Sequence, residues 1–457
     1  MTRRAPLALG AAAVAALALW AFFPVVLLVL HARSADATFT GADGLIGANG
    51  VLGADQLQYL AWARSIAGHG LAADLFTLGR SGHVFLEPAS GIVGGLLAAG
   101  VPLLAGALLV KAFAVTALAL AALAWVRRLE PAPPARPAAQ LAAVALALFA
   151  VTPATSLVNW LAPGSARFRF DVYLAGDELL SATKLWGYVP AALAIALMPV
   201  CLLALERALG GAPGASGSPR RAARRPLLLS AGAALMCAWL HPWQGITLAL
   251  IVVALAALRR RRVEGPAIAL VALAAVLPLA YYGVLSHADP AWRVAAHNEE
   301  GARLPLSVWL LCVGPMVALA ALGARRPGRA LAEQALVLWI PAALVTYFAN
   351  DAFATHALEG LSLPFAVLAV RGARRVRLPA PAAGACLVLL TVPGLAYAAR
   401  KFVRTSQSGL VQYALGRDDA AAIPGARLVT DEPGRSPVAW QGSQLSRIIA
   451  EIAALGN

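Results

Sequence analysis

Acidic residues are what this chain has least of for its length. Asp and Glu number 22 in 457 residues, against 37 Lys and Arg. Charged residues of both signs make up 13% of the chain and hydrophobic residues 60%, giving a mean hydropathy of +0.73. So little charge excludes an ordinary soluble domain. Cysteine is as sparse: Cys201, Cys237, Cys312 and Cys386 lie far apart inside apolar runs. That spacing excludes both a zinc-finger ligand set and a disulfide framework, and leaves four small core residues. No segment repeats with a fixed period. The positive balance, with a pI near 10.6, does not mark a nucleic-acid partner. The Arg residues fall in short clusters between apolar runs, not along a phosphate-tracking face.

What the chain has in quantity is apolar runs near the roughly 20 residues that a helix needs to cross hydrocarbon. Such spans are expected at about 6–31, 104–126, 139–158, 186–206, 227–241, 242–258, 265–285, 305–324, 332–349, 353–370 and 379–399. Short basic loops stay on the cytoplasmic side. The Arg clusters at 3–4, 127–136, 207–225, 259–262, 325–329 and 371–377 therefore pin alternate span ends inside. Of the acids, Glu130, Glu206, Glu264 and Glu333 fall on that side, and the others fall outside or at the outer edge. The expectation is an all-α polytopic membrane protein of about eleven transmembrane helices, N-terminus inside and C-terminus outside. Residues 1–400 form the transmembrane domain and 401–457 a short extracytoplasmic tail. The apolar run from Ala5 to Leu30 exceeds a signal-peptide core and reads as an uncleaved anchor. Residues 208–226, rich in Gly, Pro and Ser, read as a cytoplasmic linker. The run 227–258 reads either as two short spans meeting at His241-Pro242-Trp243 or as one tilted helix.

The first outer loop, about 33–102, is long, and long loops in compact architectures usually carry function. It is expected to hold short amphipathic helices. Asp55, in Gly53-Ala54-Asp55-Gln56-Leu57-Gln58-Tyr59-Leu60, is a scarce acid just outside the first span. Tyr59 lies one turn on, with Trp62 and Arg64 beyond, and Gly68-His69-Gly70 closes the helix. Arg80, His83 and Glu87-Pro88 follow before the chain re-enters apolar sequence. Asp55 and Glu87 are candidates for general base and for metal or hydroxyl ligand. The plainer alternatives are a helix cap for Asp55, a solvated interfacial acid for Glu87 and a surface residue for His83.

Further outer loops add Lys184, among aromatic and basic residues that suit either a lipid phosphate or an aromatic belt, and Arg293. His241 with Trp243, and His356 with Glu359, stand at or within apolar spans, where ionisable groups are costly and hence candidates. His356 and Glu359, three residues apart, share a helical face and can pair. A polar helix-opening turn is the simpler reading of that segment.

The first span, the outer loop with Asp55 in Gly-Ala-Asp-Gln-Leu-Gln-Tyr-Leu, the later His83…Glu87-Pro88, Trp239-Leu240-His241-Pro242 and Glu359-Gly360-Leu361-Ser362-Leu363-Pro364 together resemble the polytopic GT-C glycosyltransferases. The likeness is to bacterial members near the protein mannosyltransferase and arabinosyltransferase groups. It covers most of residues 1–400 in architecture and is thin in motif content. It implies a bacterial cytoplasmic membrane, a polyprenyl-phosphate-linked sugar donor and a lipid or glycan acceptor. Asp55 is then the catalytic base, Glu87 the second acid, and Arg64, Lys184 and Arg293 are holders of the leaving phosphate. The resemblance admits a divalent cation without requiring one, because Asp55 has no adjacent acid and the chain has no Glu-X-Glu motif. A transporter or lipid flippase, and a non-catalytic membrane assembly subunit, are the competing readings.

Overall fold

The computed structural model describes residues 4–34, 38–39, 51–74, 81–130, 137–151, 153–162, 164–210, 219–259, 264–297, 303–324, 328–350, 352–408, 414–415, 428–430 and 437–439. Residues 211–218 of the expected linker, whose flanks belong to helices, and most of the expected tail lie outside these residues. The chain is helical. In order come α1 (Arg4–Ser34), α2 (Val51–His69), α3 (Pro88–Ala98), α4 (Leu103–Leu129), α5 (Pro137–Phe149), α6 (Pro153–Leu161), α7 (Ala166–Leu179), α8 (Val189–Leu209) and α9 (Pro219–Leu240). Then follow α10 (Pro242–Arg259), α11 (Gly265–Ala288), α12 (Pro290–His297), α13 (Leu306–Ala324), α14 (Leu331–Ala349), α15 (Ser362–Arg375), α16 (Ala380–Leu389) and α17 (Val392–Ser408). Short 3-10 segments at Ser181–Leu185 and Ala354–Leu358 precede α8 and α15. Helices α3, α5, α6, α9, α10 and α12 each open on proline, whose fixed φ suits the first helical position and whose missing N–H is not needed there.

Seven helical segments among the described residues are long and apolar enough to cross a membrane: α1, α4, α8, α10, α11, α14 and the α16–α17 stretch Ala380–Arg404. Counting two bent pairs as one span each raises this to nine. One pair is α5 with α6, bent by 48°; the other is α13, bent by 68° between Gly314 and Met316, where Pro315 interrupts the helix. Helices α9 and α15 fall short, because α9 opens on the Arg-rich stretch and α15 has only 14 residues. The run 227–258 is two helices, breaking at His241 and packed so closely that a Cβ on Gly245 would overlap Ala238.

The helix ends separate into two sets. At one, the acids assigned inside by sequence are all paired with arginine. Arg371 Nε sits 2.5 Å from Glu130 and its two terminal nitrogens 2.7 and 2.8 Å from Glu333. Arg374 adds a 2.9 Å contact to Glu130. Arg128 grips Glu206 with two contacts at 2.6 and 2.8 Å, and Glu206 accepts from the Ala332 N–H. Arg259 pairs with Glu264 and reaches Gln334. This ties together the ends of α4, α8, α10, α11, α14 and α15. The opposite ends of α8, α9, α10, α14 and α15 converge on a second polar cluster, described below.

Two small antiparallel pairings complete the chain: β1 (Thr38–Phe39) with β2 (Ala414–Leu415), and β3 (Leu428–Thr430) with β4 (Pro437–Ala439). The first brings residues 414–415 to the end of α1 from which residue 38 emerges. An even number of membrane crossings must therefore separate residues 39 and 414. Helix α17 runs through position 400, so no structural break marks the expected tail boundary.

Candidate functional site

Helix α2 starts at Val51, so Asp55 sits at its fifth position and not at the cap, where a side chain would bond the first free N–H groups. The Asp55 side chain lies outside the described residues. The helix it opens ends as its glycines imply: His69 is the last residue and Gly70 follows at φ 81°. Gln56, Tyr59, Leu60 and Ala63 form one face of α2 and line a cavity of about 60 Å³. Its other walls are Glu87, Ala89, Ser90 and Val93 at the start of α3, Leu104, Ala107, Leu108, Val110 and Lys111 on α4, and Gly187, Val189 and Pro190 entering α8.

Glu87 proves to be the N-cap of α3. Its two carboxylate oxygens accept from the N–H groups of Ala89 at 2.8 Å and Ser90 at 2.6 Å. Burial pushes its pKa up from 4.5, against the pull of those two N–H groups. Facing the same cavity is Lys111, 2% exposed and inside α4, about 12 Å from that helix's start at 1.5 Å per residue. Sequence reasoning passed over it, although a lone lysine in a 27-residue apolar helix is itself a signal. The Lys111 ammonium lies 5.6 Å from the Phe22 ring centroid.

The second cluster gathers residues from four elements. Lys184, in the 3-10 segment before α8, is 2.8 Å from Glu178 at the end of α7 and 3.1 Å from Glu359. Glu359 in turn has His241 Nε2 at 3.3 Å and His356 Nδ1 at 3.1 Å. Thr355 donates to Glu178 at 3.3 Å, and His356 Nδ1 lies 3.3 Å from the same carboxylate. Burial raises the Glu178 pKa, but the Lys184 and His356 charges outweigh it and hold that carboxyl well below the usual range. Trp243 packs against both imidazoles, 5.2 Å from His241 and 5.0 Å from His356, and anchors its indole N–H on the Ala352 carbonyl. Gln244 donates to the His356 carbonyl.

Lys184, His241, Trp243, His356 and Glu359, spread over 176 positions, thus meet in one place, and the expected His356–Glu359 pair forms. Gln244, which the sequence groups with His241 and Trp243 at a polar mouth, belongs with them, and so does Glu178, given no distinct role by sequence. Tyr188 joins cluster and cavity: its ring lies 5.6 Å from the Lys184 ammonium and 6.4 Å from the His356 ring, and its neighbours Gly187 and Val189 line the cavity.

The remaining candidates lie elsewhere. Arg64 is half-buried on α2. His83 is exposed and stacks on His69 with ring centroids 3.9 Å apart. Arg293 is exposed on α12 and donates to the His287 carbonyl. Lys184, expected to meet a phosphate, is instead committed to two carboxylates in a buried setting, because an unpaired ammonium there would carry its full desolvation penalty.

The backbone at Val84 and Leu86, just before α3, is locked to the bundle near these sites. Tyr281 of α11 donates to the Val84 carbonyl at 2.7 Å and accepts from the Leu86 N–H, and Trp239 of α9 donates to the Leu86 carbonyl at 2.8 Å. No protein-family model matches the chain, and no curated protein is significantly similar to it.

Proposed function

We propose that the protein is a multi-pass membrane glycosyltransferase of the GT-C kind, with eleven crossings, in a bacterial cytoplasmic membrane. It moves a sugar from a polyprenyl-phosphate donor to an acceptor hydroxyl at the outer face. The observation that carries the reading is the cavity against α2. It combines apolar helix walls, suited to a lipid-linked donor, with a buried lysine and a buried carboxyl, and the helix carrying Asp55 forms one side. At about 60 Å³ it falls below the roughly 300–1,000 Å³ of ordinary ligand pockets. Donor binding therefore requires α2 and α3 to part from α4.

In the proposed step the Asp55 carboxylate takes the acceptor O–H proton as that oxygen bonds to the sugar anomeric carbon. The bond from that carbon to the phosphate oxygen breaks, its electron pair stays with the phosphate, and the anomeric centre inverts. Lys111, in the cavity, replaces Lys184 as the cation that neutralises the leaving polyprenyl phosphate.

The test is sugar transfer in proteoliposomes from a radiolabelled polyprenyl-phosphate sugar. Asp55→Asn abolishes transfer while keeping the wild-type melting temperature; an active Asn variant overturns the assignment. A second reading, an ion-coupled transporter, draws on one observation, the buried Lys, Glu and His groups where several helices end. Solute uptake by the same proteoliposomes, with no transfer, would put it first.

A further inference from the structure

Three groups converge in the second cluster with ligand atoms facing one another: His241, His356 and Glu359, each offering one atom within 4.8 Å of the others. We propose that they form a binding site for a divalent transition-metal ion of the zinc class. The proposal does not depend on the sugar-transfer reading.

Three observations carry it. The first is spacing. Zinc bonds to nitrogen and oxygen of about 2.0–2.2 Å place tetrahedral ligand atoms about 3.3–3.5 Å apart. Glu359 Oε2 lies 3.3 Å from His241 Nε2 and Glu359 Oε1 3.1 Å from His356 Nδ1, and one ligand atom of each residue lies within 4.8 Å of the others, so a modest contraction brings the three to zinc spacing.

The second is bonding. Both Glu359 oxygens and His356 Nδ1 are buried with no hydrogen bond of acceptable geometry. Glu359 is 1% exposed. A carboxylate so deep is normally met by aligned donors, because burying it without them costs several kcal/mol. Here the Lys184 ammonium and both imidazoles approach it at ion-pair distance without an aligned hydrogen bond, an arrangement that a metal ion held between the imidazoles and the carboxylate would resolve.

The third is the donor set. Two imidazoles and one carboxylate match three-ligand zinc sites, which keep a fourth position open. They do not match magnesium or calcium, which take six or more oxygens. Lys184 is shared between Glu178 and Glu359, so a metal ion at Glu359 would take over part of that ion pairing and leave the ammonium to Glu178.

The site joins the ends of α9 and α14 through the turns that follow them, so metal binding would fix the meeting point of two helix pairs. Its position beside Tyr188 sets it behind the cavity wall formed by Gly187, Val189 and Pro190.

The test uses tag-free, full-length protein in detergent, stripped with a chelator and reloaded with zinc alone. Elemental analysis is expected to give close to one zinc per chain, and zinc to raise the melting temperature. X-ray absorption is expected to show imidazole in the zinc shell. His241→Ala/His356→Ala should weaken zinc binding by about 100-fold or more, and Glu359→Gln should act in the same direction. Asp55→Asn should bind zinc as wild type does, so loss of transfer in that variant cannot be mistaken for loss of metal. Folding of the double variant is checked by its elution profile. If it does not fold, the absorption spectrum of wild type decides. Zinc retained by the folded double variant, for example at the exposed His69–His83 pair, overturns the assignment. So does a wild-type chain that takes up none, or a zinc shell without imidazole.

Discussion

Lys184 holds two carboxylates at 2.8 and 3.1 Å while nearly sealed from solvent, and removing such a partner leaves buried charge uncompensated. Lys184→Met should destabilise the protein by about 3–5 kcal/mol, and Lys184→Met/Glu178→Gln by less, since one stranded anion is then neutral. Denaturant unfolding of both variants in one detergent checks the order. Glu87 behaves differently. Burial raises its pKa above 4.5, so the folded chain keeps this proton to higher pH than the unfolded chain. Below the unfolded value both states are protonated and the group's stability is intact. As pH climbs towards the folded value the unfolded carboxyl ionises freely, and that stability is lost. Glu87→Gln should therefore gain on wild type in melting temperature as pH rises from about 4 towards 7. A difference that stays flat would show that the carboxyl ionises alike in both states.

At the scale of elements, α15 is the helix on which the others close. Every residue from Ser362 to Val370 is buried, although the helix is only 14 residues long. It passes α13 at backbone contact: a Cβ on Gly323 would overlap the Leu368 carbonyl, and one on Gly372 the Leu319 carbonyl. Small residues allow such approach between membrane helices, where packing takes over from the hydrophobic effect. Gly372→Ala should cost about 1–3 kcal/mol by overpacking, and Gly323→Ala a similar amount at the same crossing. Gly384→Ala, where nothing lies within 4 Å, is the control. Equal melting temperatures for Gly372→Ala and Gly384→Ala would refute the close crossing.

Across the whole molecule, charge is sorted to the two ends. Arginine and glutamate pair at one, while histidine, lysine and glutamate cluster at the other. The proposed orientation, with basic loops in the cytoplasm, puts the arginine end inside and the candidate site outside. A reporter inserted at Gly217 should then read as cytoplasmic, and one fused after Asn457 as external. The pairing of residues 38–39 with 414–415 argues for the same odd number of crossings. Both reporters on one side would overturn it.

Composition alone determined that the chain is a bundle of apolar helices, because a segment without charge has no other place to put its surface. Spacing determined most helix positions and the Arg-rich ends, because prolines and arginines punctuate hydrophobic runs in one dimension. It even placed His356 beside Glu359, since one turn brings them together. What no local pattern could supply was the meeting of Glu178, Lys184, His241 and Glu359, which come from four separate elements. Nor could it tell a capping Glu87 from a solvated one, or find Lys111 a place in the wall of a cavity. A charge acquires its role from the partners that packing delivers, and those partners lie as far as 244 positions away in sequence, as Arg374 does from Glu130.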